Sequence, residues 1–199
     1  MVNIHANKKT MYDIAEQVIN TMLFDNRRYK MKMKIAFFVI AATVICFAVA
    51  GAQSSGKVLT FKGYKNIEIG MKIKSVAKAT GLVFSFDSPP EKNECTYAYS
   101  KSLPGLYLML VNEVVARIDV DNGDYTTAEG ARLGDSEATI KKLYPKVEVE
   151  GQKYVPEGHC LIVRSPDKSR AIIFDTDGKN VTAFRVGRMP EVEYVEGCN

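Results

Sequence analysis

Apolar positions recur with two periods along this chain, and the switch between them divides the stretch after residue 52 into the same series of segments twice. In "IEIGMKIKSVAKATG" (67–81), Ile73, Val76, Ala77 and Thr80 fall on one face at helical spacing, so a helix is expected over Ile67–Thr80 with Gly81 as its stop. The stretch "ARLGDSEATIKKLYP" (131–145) repeats the plan 64 residues later, with Gly134 where Gly70 stood. Here Ser136 is a ready N-cap, Ile140, Leu143 and Tyr144 form the inner face, and Pro145 ends the helix. Lys72 holds the capping position in the first copy, which makes that helix the poorer starter.

A short apolar lead-in, Val58–Phe61, precedes the first helix, and strand-like runs come after each one. In the first half these are Leu82–Phe86, then, after the loop "DSPPEKNE", Cys95–Ser100, Leu106–Val111 and Val114–Val120. In the second they are Lys146–Glu150, then, after "GQKYVPEG", Cys160–Ser165, Arg170–Asp175 and Asn180–Val186, with "EVEYVEGCN" offering one last short strand. Alternation, β-branched residues and turn residues predict antiparallel hairpins. An offset of 65 brings Cys95 onto Cys160, Ser100 onto Ser165 and Leu108 onto Ile173. A unit of this size buries only about 60% of the surface its unfolded chain exposes. Two copies, 53–128 and 129–199, would share a boundary and a longer sheet, so an α+β fold of two tandem helix-plus-antiparallel-meander repeats is expected.

Ahead of the repeats, residues 31–52 read "MKMKIAFFVIAATVICFAVAGA": lysines, an apolar run from Ile35 to Ala50, and small residues in an A-x-A pattern. That is the three-part layout of a secretory signal peptide, and a membrane anchor would need about 20 apolar residues. Residues 1–30 precede it and are expected not to belong to the functional protein, with translation starting at Met31 or Met33. Cys46 lies behind Ile45, where a lipidated cysteine wants a small residue. The expected location is periplasmic or secreted, with no stable membrane insertion after cleavage.

The net charge of +4 changes meaning once the leader is set aside. Of 27 basic and 23 acidic residues, seven and three fall before Gln53, which leaves 20 of each. A neutral exported part lacks the electrostatic footprint of a nucleic-acid binder. Cys95, Cys160 and Cys198 remain after cleavage, so one disulfide and one free thiol are expected in an oxidising compartment. Equivalent places in side-by-side meanders lie several strands apart, at about 4.8 Å per strand, whereas a disulfide needs Cα atoms within about 7 Å. Cys198 should therefore bond Cys95 or Cys160; Cys95 is preferred, because Cys160 sits in the apolar run "CLIV" and passes as a buried hydrophobe.

Material for catalysis is scarce. His159 and Cys160 are neighbours on a strand and point to opposite faces, which argues against a dyad and leaves His159 a structural or surface residue. Asp119 with Asp121 and Asp175 with Asp177 resemble calcium loops, but the glycine and distal glutamate are misplaced, and Asp-Gly is ordinary turn chemistry. No metal and no cofactor is expected.

The pair "IGMKIKSVAKATG" and "LGDSEATIKKLYP", each ahead of a meander, resembles the modules of tandem-repeat β-lactamase inhibitor proteins and of SmpA-type small outer-membrane assembly lipoproteins. The ending "YVEGCN" and the layout are also similar to exported bacterial proteins of unknown function. Asp135 replaces the methionine of the first copy, and there is no lipobox. The resemblance implies helices packed on one face of the sheet and a partner, another envelope or extracellular protein, on the other. Alternation assigns Leu106, Leu108, Leu110, Ile118 and Val120 inward and puts Tyr107, Met109, Arg117, Asp119, Ile172, Phe174 and Arg185 on the partner face. Such a face can also be covered by the chain's own tail or loops. The leading expectation is an inhibitor-like or envelope-assembly-like protein-binding module, not an enzyme. The alternatives are an envelope hydrolase or small-ligand enzyme using Cys160 or the acidic turns, and a structural envelope protein.

Overall fold

The structure, a computed structural model, describes residues 56–198 and, separately, the two helical residues Glu16 and Gln17. The expected leader at 31–52 lies outside the described residues, as does the preceding extension apart from those two. A single compact unit begins at Ser55 and runs to the end of the chain.

That unit has a mixed α+β fold, mostly sheet, with two helices and two sheets. In order it runs β1 (Lys57–Thr60), β2 (Gly63–Tyr64), β3 (Ile67–Glu68), α1 (Ile73–Thr80), β4 (Ser85–Phe86), β5 (Cys95–Tyr99), β6 (Leu106–Val111), β7 (Val114–Val120) and β8 (Tyr125–Thr127). Then come α2 (Glu137–Leu143), β9 (Glu148–Gly151), β10 (His159–Arg164), β11 (Arg170–Thr176), β12 (Val181–Arg188) and a single 3₁₀ turn (Glu191–Glu193). The large sheet has the order β4-β5-β6-β7-β12-β11-β10-β9 and is antiparallel throughout. The small sheet, β3-β2-β1-β8, closes with the parallel pair β1–β8.

The first helix is shorter than its periodicity predicts. Gly70 takes φ +98°, a left-handed conformation that breaks a helical path, so residues 67–68 pair with β2 instead. Its N–H donates to the Val115 carbonyl at 2.8 Å, and Ile73 N–H to that of Glu113 at 2.9 Å, which threads the entry to α1 along the start of β7. Around α2 the same wiring recurs: Gly134 (φ +82°) donates to Val181 O at 2.9 Å, and Glu137 N–H to Lys179 O at 3.0 Å, at the start of β12. Lys72 makes no side-chain cap, whereas the Ser136 oxygen accepts from Thr139 N–H, so the capping contrast seen in the sequence holds. Gly81 ends α1 in the αL conformation with its N–H on the Ala77 carbonyl.

One face of the large sheet carries Ala98, Leu108, Ile118, Val186, Phe184, Ile172, Phe174 and Leu161 in a cluster that also contains Ile73 and Val76 of α1 and Ile140 of α2. This corrects the face expected for two residues. Ile172 and Phe174 belong to this core, where the Phe174 ring lies 5.7 Å from Tyr144 and 5.8 Å from Phe184. The opposite, outer face of β11 carries Ala171, Ile173 and Asp175, and Ala171, Ile162 and Ile173 form a second small cluster with Val192. The tail corrects a further expectation: among its described residues it forms the 3₁₀ turn and no strand.

Phe174→Ala is expected to lower the unfolding free energy in urea by about 3–5 kcal/mol, the cost of emptying an aromatic core site. A loss within about 0.5 kcal/mol, typical of surface positions, would return this side chain to an exposed face.

Candidate functional site

The candidate site is the outer face, and strand register builds it in two rows. One runs Tyr99, Tyr107, Asp119, Arg185, Ile173, Ile162 across β5, β6, β7, β12, β11 and β10. The next runs Tyr97, Met109, Arg117, Gly187, Ala171, Arg164. Each row places an arginine near its centre, and these two guanidinium groups are shielded: Arg117 is 4% and Arg185 8% exposed. Gly187 makes this crowding possible, since a Cβ there would meet the Ala116 carbonyl oxygen at 2.7 Å and the Arg117 Cβ at 3.1 Å.

A charge buried this deeply costs several kcal/mol unless every donor is used. Residues after β12 accept from some of these donors, and side chains of the sheet accept from others. Arg117 Nη1 donates to the Tyr194 carbonyl at 2.6 Å and to that of Glu191 at 3.3 Å, Nη2 to the Tyr97 hydroxyl at 2.5 Å, and Nε to Asp119 Oδ2 at 3.0 Å. Arg185 Nε donates to the Val192 carbonyl at 2.8 Å while Nη1 pairs with Asp175. Residues 189–198 thus form a strap over the centre of the face. Val192 is its fully buried apolar contact, and Glu193 with Arg164 and Glu196 with Lys153 form ion pairs along it. Its end is fastened by the Cys95–Cys198 disulfide, with a Cα separation of 5.2 Å, and Cys160 stays a free thiol.

The residues expected on the partner face therefore separate. Tyr107 and Asp119 line a hollow of about 540 Å³ together with Asp87, Tyr97, Tyr99 and Asp121. Met109 lies in the same face but is fully buried between Tyr97 and Arg117 in its row. Arg117 and Arg185 lie under the strap, and Ile172 and Phe174 are on the far side of the sheet. Tyr97 and Tyr99 join the face without having been expected there, although their i, i+2 spacing in "CTYAYS" marks one side of β5. Burial pushes the Asp119 carboxyl above its ordinary value against the pull of Arg117, and burial likewise raises the Tyr97 phenol. The other two acidic residues of the hollow, Asp87 and Asp121, make no side-chain hydrogen bond or ion pair among the described residues.

Of the groups considered for catalysis, Cys160, His159 and Asp177 are engaged in other contacts. Cys160 Sγ faces Asp175 Oδ1 at 3.3 Å, and burial first, then the charge of Asp175, pushes its thiol up to about 11. At neutral pH it is a thiol, unsuited to thiolate chemistry. His159 Nδ1 lies 2.7 Å from Glu137 Oε1, while Cys160 contacts Asp175 on the outer face, so the neighbours are separated as alternation requires. Thr176 Oγ1 donates to the same Glu137 oxygen at 2.7 Å and Lys141 Nζ to the other at 3.2 Å. Hydroxyl and imidazole both bind the carboxylate, which ties the first turn of α2 to β10 and β11. The acidic turn at Asp177 is explained by its own backbone: Oδ1 accepts from the N–H groups of Lys179 and Asn180 at 2.9 and 2.7 Å.

No protein-family model matches the chain, and no curated protein matches its sequence. Among solved structures it is similar to the crystal structure of the uncharacterized protein yfeY from Escherichia coli, at 10% identity with a TM-score of 0.39, over 65% of this chain and 98% of that one.

Two outcomes are expected. Arg117→Ala should cost about 3–5 kcal/mol in urea unfolding, because it strands partly buried Asp119 and two strap carbonyls, whereas Tyr107→Phe should change stability by no more than about 0.5 kcal/mol. Equal, small effects would show that Arg117 is not a structural charge. For Glu137, burial pushes the carboxyl up, but the hydrogen bonds from Thr176, His159 and Lys141 outweigh it and hold the carboxyl below its ordinary value. A depressed folded value contributes stability that is present above the unfolded carboxyl pKa of about 4.3 and is lost as pH falls through the folded value. The stability difference between wild type and Glu137→Gln should accordingly shrink between pH 6 and acidic pH in urea titrations, and a constant difference would contradict this assignment.

Proposed function

We propose that this chain is an exported, non-enzymatic protein-binding module, made of two tandem helix-plus-meander repeats with the helices on one face of the sheet, that docks another envelope or extracellular protein through the uncovered part of the outer face. The repeat reading is supported by the mirrored strand order about β7 and β12 and by the matched bonds at Gly70 and Gly134. Further support comes from Ser100 and Ser165, both 7% exposed, whose carbonyls each accept a turn bond from the residue three positions on. Export is supported by the leader pattern at 31–52 and by the Cys95–Cys198 disulfide.

The observation that carries docking is where the strap leaves off. It occupies the centre of the outer face with the chain's own atoms, so both occupants considered for that face have a share of it. On β5–β7 the surface beyond Tyr97 carries the half-exposed tyrosines Tyr99 and Tyr107 with no strap residue lining the hollow. Tyrosine is enriched where protein interfaces carry their binding energy. Arg117, Arg185, Met109, Ile172 and Phe174 then serve as support and core, and the docking residues are those of the hollow.

A photo-crosslinking amino acid placed at Tyr99, and in a control at Lys74 of α1, tests this in the producing cells. A discrete adduct of higher mass from Tyr99 and none from Lys74 is expected. Adducts of the same pattern from both positions, or from neither, would remove the docking face.

A further inference from the structure

The chemistry of the hollow narrows what can dock there. We infer that it receives an arginine side chain presented by a peptide segment of the partner protein; this rests on the docking function proposed above. The aromatic surface comes first. The rings of Tyr99 and Tyr107 lie 6.4 Å apart at an interplanar angle of 56°, and both residues line the hollow. Planar guanidinium groups stack on the faces of such rings, and the negative face of the ring attracts the cation.

The charge around that space has one sign. All three ionisable residues other than tyrosine that line it are aspartates, and Asp119 is already paired through Arg117 behind it at 2.9 Å. Asp87 and Asp121 are exposed, lie on either side of the tyrosine rows, and have no cation bound to them among the described residues. An anionic partner would meet uncompensated carboxylates, and an apolar one would strip water from them without replacing its hydrogen bonds. A guanidinium satisfies both requirements at once, with a planar face for a tyrosine ring and a fork of N–H donors for carboxylate. The volume of about 540 Å³ is in the range of sites that hold more than a single small ion, which fits a side chain together with its flanking backbone.

The test uses the purified protein with ¹³C-labelled tyrosine and N-acetyl-arginine N-methylamide as the probe, followed by aromatic NMR. Saturable shifts of the Tyr99 and Tyr107 ring signals are expected, weakened about fivefold in Asp121→Asn, as loss of one exposed charge contact predicts. The citrulline analogue, equal in shape and uncharged, should give no saturable shift. Absence of saturation, equal response to citrulline, equal or tighter binding of the lysine analogue, or no change in Asp121→Asn would each overturn the inference. Its failure is distinguishable from that of the docking reading: a crosslink at Tyr99 that persists undiminished in Asp121→Asn would leave docking standing and remove the arginine.

Discussion

Two guanidinium groups buried on the outer side of an antiparallel sheet set the terms for the rest of this molecule. Arg117 and Arg185 sit on adjacent central strands, each beside a carboxylate, and neither could remain there with donors unmet. The carbonyls of Glu191, Val192 and Tyr194 accept from these guanidinium groups, and none of the three is paired with a strand, since they lie in and just after a 3₁₀ turn. The strap is consequently required by the polar groups of the fold itself. The disulfide at its end and Val192 in its middle keep it in register with the arginines.

That arrangement also decides which part of the outer face is open. Strap residues consume the surface over β7, β12 and β11, while Gly197 closes against the Tyr97 ring, where a Cβ would meet the hydroxyl at 2.5 Å. Past that point the face is open, and it is lined by tyrosine and aspartate. The buried charge and the open hollow meet at one residue: Asp119 faces Arg117 on one side and the hollow on the other.

Much of this is legible in the residues. Gly81, Ser136 and the hairpin turns are local signals, each set by backbone chemistry within a few positions, and they appear where expected. For the Cys95–Cys198 pairing, strand spacing argues only against Cys95–Cys160, and the apolar run around Cys160 is what favours Cys95 as the partner of the tail. The face of β11 is not legible, because in "RAIIFDT" both alternating sets are apolar and a strand buried on both sides carries no polarity to choose between them. Nor is the role of the tail, since "EVEYVEGCN" has strand-like composition and its turn depends on arginines more than sixty positions away in one case. The small sheet is hidden for a related reason: β2 and β3 have two residues each, too few to show a period. At the site, alternation finds Tyr107 and Asp119. Tyr97 and Tyr99 obey the same alternation, but their strand is short and mixed in polarity, so only the register across β6 shows that they share the face.

Proton exchange at the arginine side chains, read from the Nε–H signals of ¹⁵N-labelled protein, probes the strap directly. If its carbonyls hold the buried guanidinium groups, the Arg185 Nε–H, bonded to the Val192 carbonyl, exchanges with solvent far more slowly than that of exposed Arg132. Exchange of Arg185 as fast as Arg132 would mean that the strap does not seal the outer face, and the division of that face into a covered centre and an open hollow would be wrong.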